Sequence, residues 1–322
     1  MPWAYSLAIS KYMRRTSLFT GLAEAIALYT IWPLRGIHWQ SEGRSRALLF
    51  MPLIGFVKAC LLTILYFGLT AIYTALNCSQ IPLLNNLYSF LITALLLFFT
   101  AGFSGFMHLD AYLDYHDARA SKLEPKRQLE IMADPHLGAF AVIRLFFFLF
   151  TAAALLYSTV SLYNKIFFGL GAPTAEEVQL SKMLFLSCTL QNACLIATAY
   201  ALAARLVYNL PKAKEHGLAH DFSQVQTKQH ANSLVLMASF FVAVNGLLSY
   251  VNGRSFGRLL PALVLFSSYL IFLIIFGQFK ERQLLRKFGG ITGDLAGHYL
   301  CILEMISLVF CFAFALIFYL PQ

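Results

Sequence analysis

Charge is what this chain has least of. Asp, Glu, Lys and Arg together make up 12% of its 322 residues, about half the share of a soluble domain. Hydrophobic residues fill the place of the missing charge: they are 59% of the chain, 30 of them Phe, and the mean hydropathy is +0.68. A chain of that balance is an integral membrane protein. Patterned cysteine is missing as well. Cys60, Cys78, Cys188, Cys194, Cys301 and Cys311 include no C-x-x-C pair, and only Cys78 falls clearly in a loop. That excludes a disulfide framework and a cysteine zinc site, and leaves small buried apolar residues. No small-residue cleavage site follows the apolar stretch 21–34, so no cleavable signal peptide is expected. No internal repeat recurs at a fixed period. Acids are fewer than bases, 15 against 24, for a net charge of +9. In a membrane chain that excess belongs to loop cations that set topology, so no nucleic-acid partner is expected.

Long apolar runs are what the chain does have. Seven, at 47–76, 82–103, 139–163, 183–208, 232–251, 259–279 and 300–320, approach or exceed the ~20 residues needed to cross a hydrocarbon core. An eighth, at 17–34, carries Glu24 and ends near Pro33, so it either spans or lies partly in the interface. The fold class is therefore all-α: a polytopic helical bundle of seven or eight transmembrane helices, read as one membrane-embedded domain over 1–322. Fifteen Lys and Arg fall in one set of loops, among them Arg119, Lys126, Lys214 and Lys287; only Lys165, Lys182, Arg254 and Arg258 fall in the alternate set. The first set should face the cytoplasm of a prokaryotic inner membrane. On that reading Lys11, Arg14 and Arg15 would be on the wrong side if 17–34 spanned, which argues against a full span. Inside the runs, Lys58 is deep; a functional role and snorkelling to the interface are both open to it. Arg144 and Glu304 read as close enough to the cytoplasmic ends to reach water. Gln191 and Asn192 read as bonds between helices.

The interval 102–140 is unlike the rest. It is polar and rich in carboxylates, between two apolar runs. Asp110, Asp114 and Asp117 are four and three residues apart, so on a helix they share one face. Three carboxylates on one face repel each other unless a cation lies between them. Magnesium suits, as a hard ion that takes one or two carboxylates plus waters and phosphate oxygens; the alternative is acids that only keep a loop wet. Glu130 and Asp134 form a second pair, four apart, on a helix that Pro135 should end. His108, His116 and His136 lie near the acids and are candidates for a general base. A third block, 287–304, holds Gly289, Gly290 and Gly293, whose backbone N–H groups could meet a phosphate, with Thr292 and Asp294 beside them. It reads equally as a plain Gly-rich turn. Arg286 and Lys287 flank it. Together the blocks suggest magnesium-assisted transfer of a phosphate-linked group at the inner membrane surface, without naming donor or acceptor.

These blocks, in this order, resemble the adenosylcobinamide-GDP ribazoletransferases, the cobalamin synthases. The resemblance rests on Gly105, His108, Asp110, Asp114 and Asp117; on Leu129 to Met132 with Asp134, His136, Gly138 and Phe140; and on Gly289, Gly290, Thr292, Gly293, Asp294, Gly297 and Glu304. Thr30 to Pro33, Arg44 to Gly55 and the mid-chain Arg205 also look familial. Ala111 departs from the glycine usual after the first Asp.

The resemblance implies an enzyme that joins adenosylcobinamide-GDP to α-ribazole or its 5′-phosphate and releases GMP, with Mg²⁺ as cofactor. On that reading Asp110, Asp114 and Asp117 hold the metal, and Asp114 or His116 is the catalytic base. His108, Glu130, Asp134, His136, Arg205, Gly289, Gly290, Thr292, Gly293 and Asp294 form the substrate site. Membrane lipid is a partner, and a homo-oligomer is left open. Two other readings remain. One is a phosphatidyl alcohol transferase, which favours D-x-x-D-G-x-x-A-R where this chain has D-x-x-x-D-x-x-D. The other is a transporter, whose polar groups would lie near the bilayer midplane.

Overall fold

The computed structural model describes residues 19–32, 34, 46–76, 82–168, 175–214, 227–255 and 257–319. Cys78 and most of the N-terminal cations lie outside them. Seven helices are long and apolar enough to cross a membrane. They are α2 (Met51–Ala75), α3 (Pro82–Gly102), α6 (Ala139–Phe168), α7 (Ala175–Asn209), α8 (Thr227–Ser255), α9 (Leu259–Phe288) and α10 (Gly293–Tyr319). Each covers one of the seven apolar runs, and the described residues hold no strand beyond one isolated bridge. The described part of the eighth run holds α1 (Phe19–Tyr29). At 1.5 Å per residue that described stretch rises ~16 Å, and its Ala25 and Tyr29 are buried in the core of the bundle. Two short helices, α4 (Met107–Ala120) and α5 (Pro125–Ile131), fill the polar interval.

The bundle is built around α7. In its most apolar window 72% of residues are buried, against 11% for α6 and 17% for α9, which face outward. Small side chains make this central place tenable: Ala193, Ala197, Ala199, Ala201, Ala203 and Ala204 are all buried. Without a hydrophobic driving force between helices in lipid, close backbone approach and hydrogen bonds hold them together. Gln191 supplies the bonds, donating to Ser249 Oγ at 2.9 Å and accepting from Asn252 Nδ2 at 3.2 Å. The interhelical role read from its mid-span place is the one it has. Gly55 of α2 supplies the approach: a Cβ there would lie 2.7 Å from the Tyr200 ring.

Two turns position the polar end. Gly105 and Phe106 both have positive φ, 60° and 64°, reversing the chain between α3 and α4. The Phe103 carbonyl accepts from Ile31 N–H at 3.0 Å, tying the end of α1 to this turn. At α9's end Gly289, φ 71°, donates its N–H to Leu285 O as a left-handed cap. The following residues pair with the loop after α7: Ile291 N–H donates to Pro211 O at 2.9 Å and Ala213 N–H to Ile291 O at 3.1 Å. Gly290 lies so close to the Pro211 carbonyl that a side chain would not fit. The ends of α7 and α9 and the start of α10 are thereby stapled together beside α4.

Candidate functional site

The α4 face read from spacing exists. Asp110 is exposed, and Asp114 and Asp117 are half-buried, on one helix whose N-terminal turn begins at Met107. A fourth acid joins them from a distant part of the chain: Asp294, in the first turn of α10. Burial, and then the charges of Asp110, Asp294 and Asp117, push the Asp114 carboxyl up to about 6; Lys214 partly offsets them. Among the described residues no three His, Cys, Asp or Glu side chains converge into a ready-made metal cage. Magnesium does not require one, since waters and phosphate oxygens complete its shell. An all-oxygen donor set whose members repel each other has the chemistry that fits such an ion.

Backbone packing fixes the cluster. A Cβ on Gly138 would run into the Asp117 carboxylate, so that glycine is where the chain clears the third acid. Gly138→Ala should therefore displace Asp117. We expect turnover to fall by about tenfold or more, as positional errors near 1 Å do, with thermal stability in detergent nearly unchanged. Ala111 has a place too: a Cβ on Gly297 of α10 would lie 2.6 Å from Ala111 Cβ. The methyl at 111 thus bears directly on α10 where α4 and α10 cross.

The other predicted residues divide. Glu130 and Asp134 do not share a helical face. Helix α5 ends at Ile131, and Asp134 lies past it in a turn, with its N–H bonded to Ile131 O, because the residue before a proline avoids helical backbone. Glu130 accepts from Arg127 at 2.6 Å, and both are exposed. Asp134 accepts from the backbone N–H of His136 and pairs with its ring at 2.6 Å; these bonds hold its carboxyl below the usual range. His136 is 91% exposed.

His116 lies off the acid face, at 100° per residue about 160° round the helix from Asp114. It stacks among Tyr112, Tyr115 and His298, with centroids at 4.3, 5.3 and 5.3 Å. Burial, then Arg144, Lys280 and Arg119, press its ring down to about 4, so it is neutral at pH 7. His108 points inward. It is buried, its Nε2 has no hydrogen-bond partner, and burial lowers it to about 4. Arg205 is half-buried on α7, within electrostatic reach of Tyr299.

The Gly-rich block is mainly structural in its backbone. The N–H groups of Gly289 and Ile291 are committed to Leu285 and Pro211, and Thr292 caps α10 by accepting from Leu295 N–H at 3.2 Å. What this loop offers an anion is the first-turn N–H of Gly293 and Asp294, which have no helical acceptor.

Two features escaped the sequence reading. Lys214, counted there only as a loop cation, sits within reach of Asp114 because the 211–213 loop pairs with Ile291; its neighbour Lys212 instead caps the carbonyls of Val207 and Leu210. Glu304 does not snorkel: it accepts from Lys58 Nζ at 2.6 Å, and Lys58, 1% exposed, also donates to Tyr200 Oη at 3.3 Å. The residues are nearly 250 positions apart, and no local signal joins them.

Against this geometry the comparisons fall into place. Relatives named adenosylcobinamide-GDP ribazoletransferase include one from Lachnoclostridium phytofermentans, 28% identical over 84% of each chain. Another, from Clostridium botulinum strain Alaska E43, is 25% identical over 91% of this chain and 96% of its own. One from Halalkalibacterium halodurans is 26% identical over 86% and 89%. No solved structure matches. Residues 21–312, which take in α4, the 211–213 loop and the start of α10, match the family described as Cobalamin-5-phosphate synthase, and to that family this chain belongs.

Proposed function

We propose that the chain joins adenosylcobinamide-GDP to α-ribazole or its 5′-phosphate and releases GMP, at the cytoplasmic face of the inner membrane of a prokaryote. The observation that carries this reading is that Asp114 lies within electrostatic reach of Asp110, Asp117, Asp294 and Lys214, inside a chain that matches the family over 21–312. A phosphatidyl alcohol transferase is not favoured, since the acid spacing differs from its run.

Asp110, Asp114 and Asp117 would hold Mg²⁺, which when bound supplies positive charge to offset the diphosphate and the departing GMP. The rest falls to protein groups. Lys214 and the open N–H groups at the start of α10 bind phosphate oxygens and orient the donor. The acceptor hydroxyl is placed in line and its proton withdrawn by a carboxylate of the cluster. Asp114 suits that task or the metal's better than His116, whose ring lies among aromatics off the acid face. Positioning and charge then supply most of the rate.

Incubating purified protein with adenosylcobinamide-GDP, α-ribazole and Mg²⁺ should yield GMP and a cobalamin in equal amounts; no GMP from folded protein refutes the assignment. Orientation has its own check. A single cysteine introduced at Leu123, between α4 and α5, should react with an impermeant maleimide only from the cytoplasmic side. Labelling in intact cells from outside would reverse the topology.

A further inference from the structure

Beside α7 the bundle is partly hollow. A cavity of about 210 Å³ lies among α2, α3, α6, α7 and α10, with α4 across one end. Its wall is apolar, with Leu62, Leu96, Leu156, Val160, Met305 and Leu308 facing it. The threonines in the wall do not make it polar. Thr63, Thr100, Thr159 and Thr189 donate their hydroxyls to carbonyls of their own helices. Tyr163 and Asn192 stand beside Cys311 at the far end, and the Lys58–Glu304 pair and His108 stand at the α4 end. Lys58 is satisfied; His108 Nε2, buried, is not. His108 also lines a second cavity, of about 280 Å³, together with Asp110 and Asp294. His108 therefore stands between the two spaces, and the second reaches Asp110 and Asp294.

We propose that the apolar cavity receives the flat apolar base of the ribazole nucleoside, a substituted benzimidazole, with its free ring nitrogen against His108 Nε2 and its ribose directed past His108 toward Asp110. This rests on the function proposed above. Size agrees: an apolar cavity of about 150 Å³ accepts benzene, so a fused bicycle fits one somewhat larger. Charge agrees as well. Lys58 and Glu304 neutralise each other, so the α4 end offers no net charge to a phosphate head and one unpaired imidazole nitrogen to a neutral heterocycle. A hydrocarbon chain would fill the wall but leave that nitrogen unanswered, at the usual cost of a buried unsatisfied group.

The test starts with wild-type protein in detergent, titrated by calorimetry with free dimethylbenzimidazole, so that binding is read without turnover. Saturable binding is expected. Steady-state kinetics then compare Ala152→Phe, which fills the cavity from α6, and His108→Gln. Each should raise KM for α-ribazole by about tenfold, the scale of one lost buried contact, with KM for adenosylcobinamide-GDP unchanged. No binding of the base to wild type overturns the proposal, whether or not either variant folds. So does an active enzyme whose ribazole KM moves in neither variant, or a co-purifying lipid that the base cannot displace. Base binding without any GMP release would instead refute the function and leave the pocket standing.

Discussion

Asp114→Asn should reduce GMP release to the assay background while the protein still inserts and purifies as a folded helical bundle. The change keeps shape and removes the charge that Asp110, Asp117 and Asp294 oppose. An interaction made mainly in the transition state is lost, and removal of such charge-stabilising groups costs roughly 10²–10³ in kcat. The structure adds a second consequence. Without metal, burial and the neighbouring acids raise the Asp114 carboxyl from 3.8 to about 6. The folded state then binds the proton more tightly than the unfolded state, so metal-free stability falls as pH rises from about 4 to about 6 and stays low above that. The N variant should lack this dependence, and its melting temperature without metal should exceed that of wild type at pH 8. Mg²⁺ competes with the same proton, so its apparent affinity for wild type should weaken as pH drops through about 6. Full turnover by the variant, or in excess chelator, would remove the metal from the account.

Lys58→Met should destabilise the protein by about 3 kcal/mol or more, because it leaves a carboxylate without its partner in a low-dielectric interior. Lys58 and Glu304 link α2 to α10, and Tyr200 of α7 accepts from the same ammonium. The double variant Lys58→Met, Glu304→Leu should recover most of the loss, since a well-packed apolar pair often matches a buried ion pair. Thermal unfolding in detergent of the four proteins gives the coupling directly. Additive losses in the double variant would mean that the two charges do not depend on each other.

How much of this was legible from the residues alone follows the range over which each signal acts. The seven spans were readable because lipid penalises every unpaired backbone group, so apolar length alone selects helices there. The face shared by Asp110, Asp114 and Asp117 was readable because helical spacing is local. Glu130 and Asp134 misled for the opposite reason: four-residue spacing counts only within a helix, and α5 stops before Asp134. His116 looked well placed in sequence, yet two positions along a helix point away from the acids. The glycines of the third block looked like a cradle for phosphate, and two of the N–H groups there serve a helix cap and a loop pairing.

The sequence by itself determined the membrane class, the seven long spans, the polar interval and the motifs that mark the family, all of which depend on composition or on spacings of a few residues. Only the tertiary structure decided that Asp294 and Lys214 join the α4 carboxylates, that Glu304 answers Lys58, and that His108 stands between an apolar cavity and the space beside Asp110 and Asp294. The charged pairings lie from about 100 to nearly 250 positions apart along the chain, and no periodicity carries over such a distance. They arise because small residues on α7 let the surrounding helices close around it, and that closure brings remote charges together.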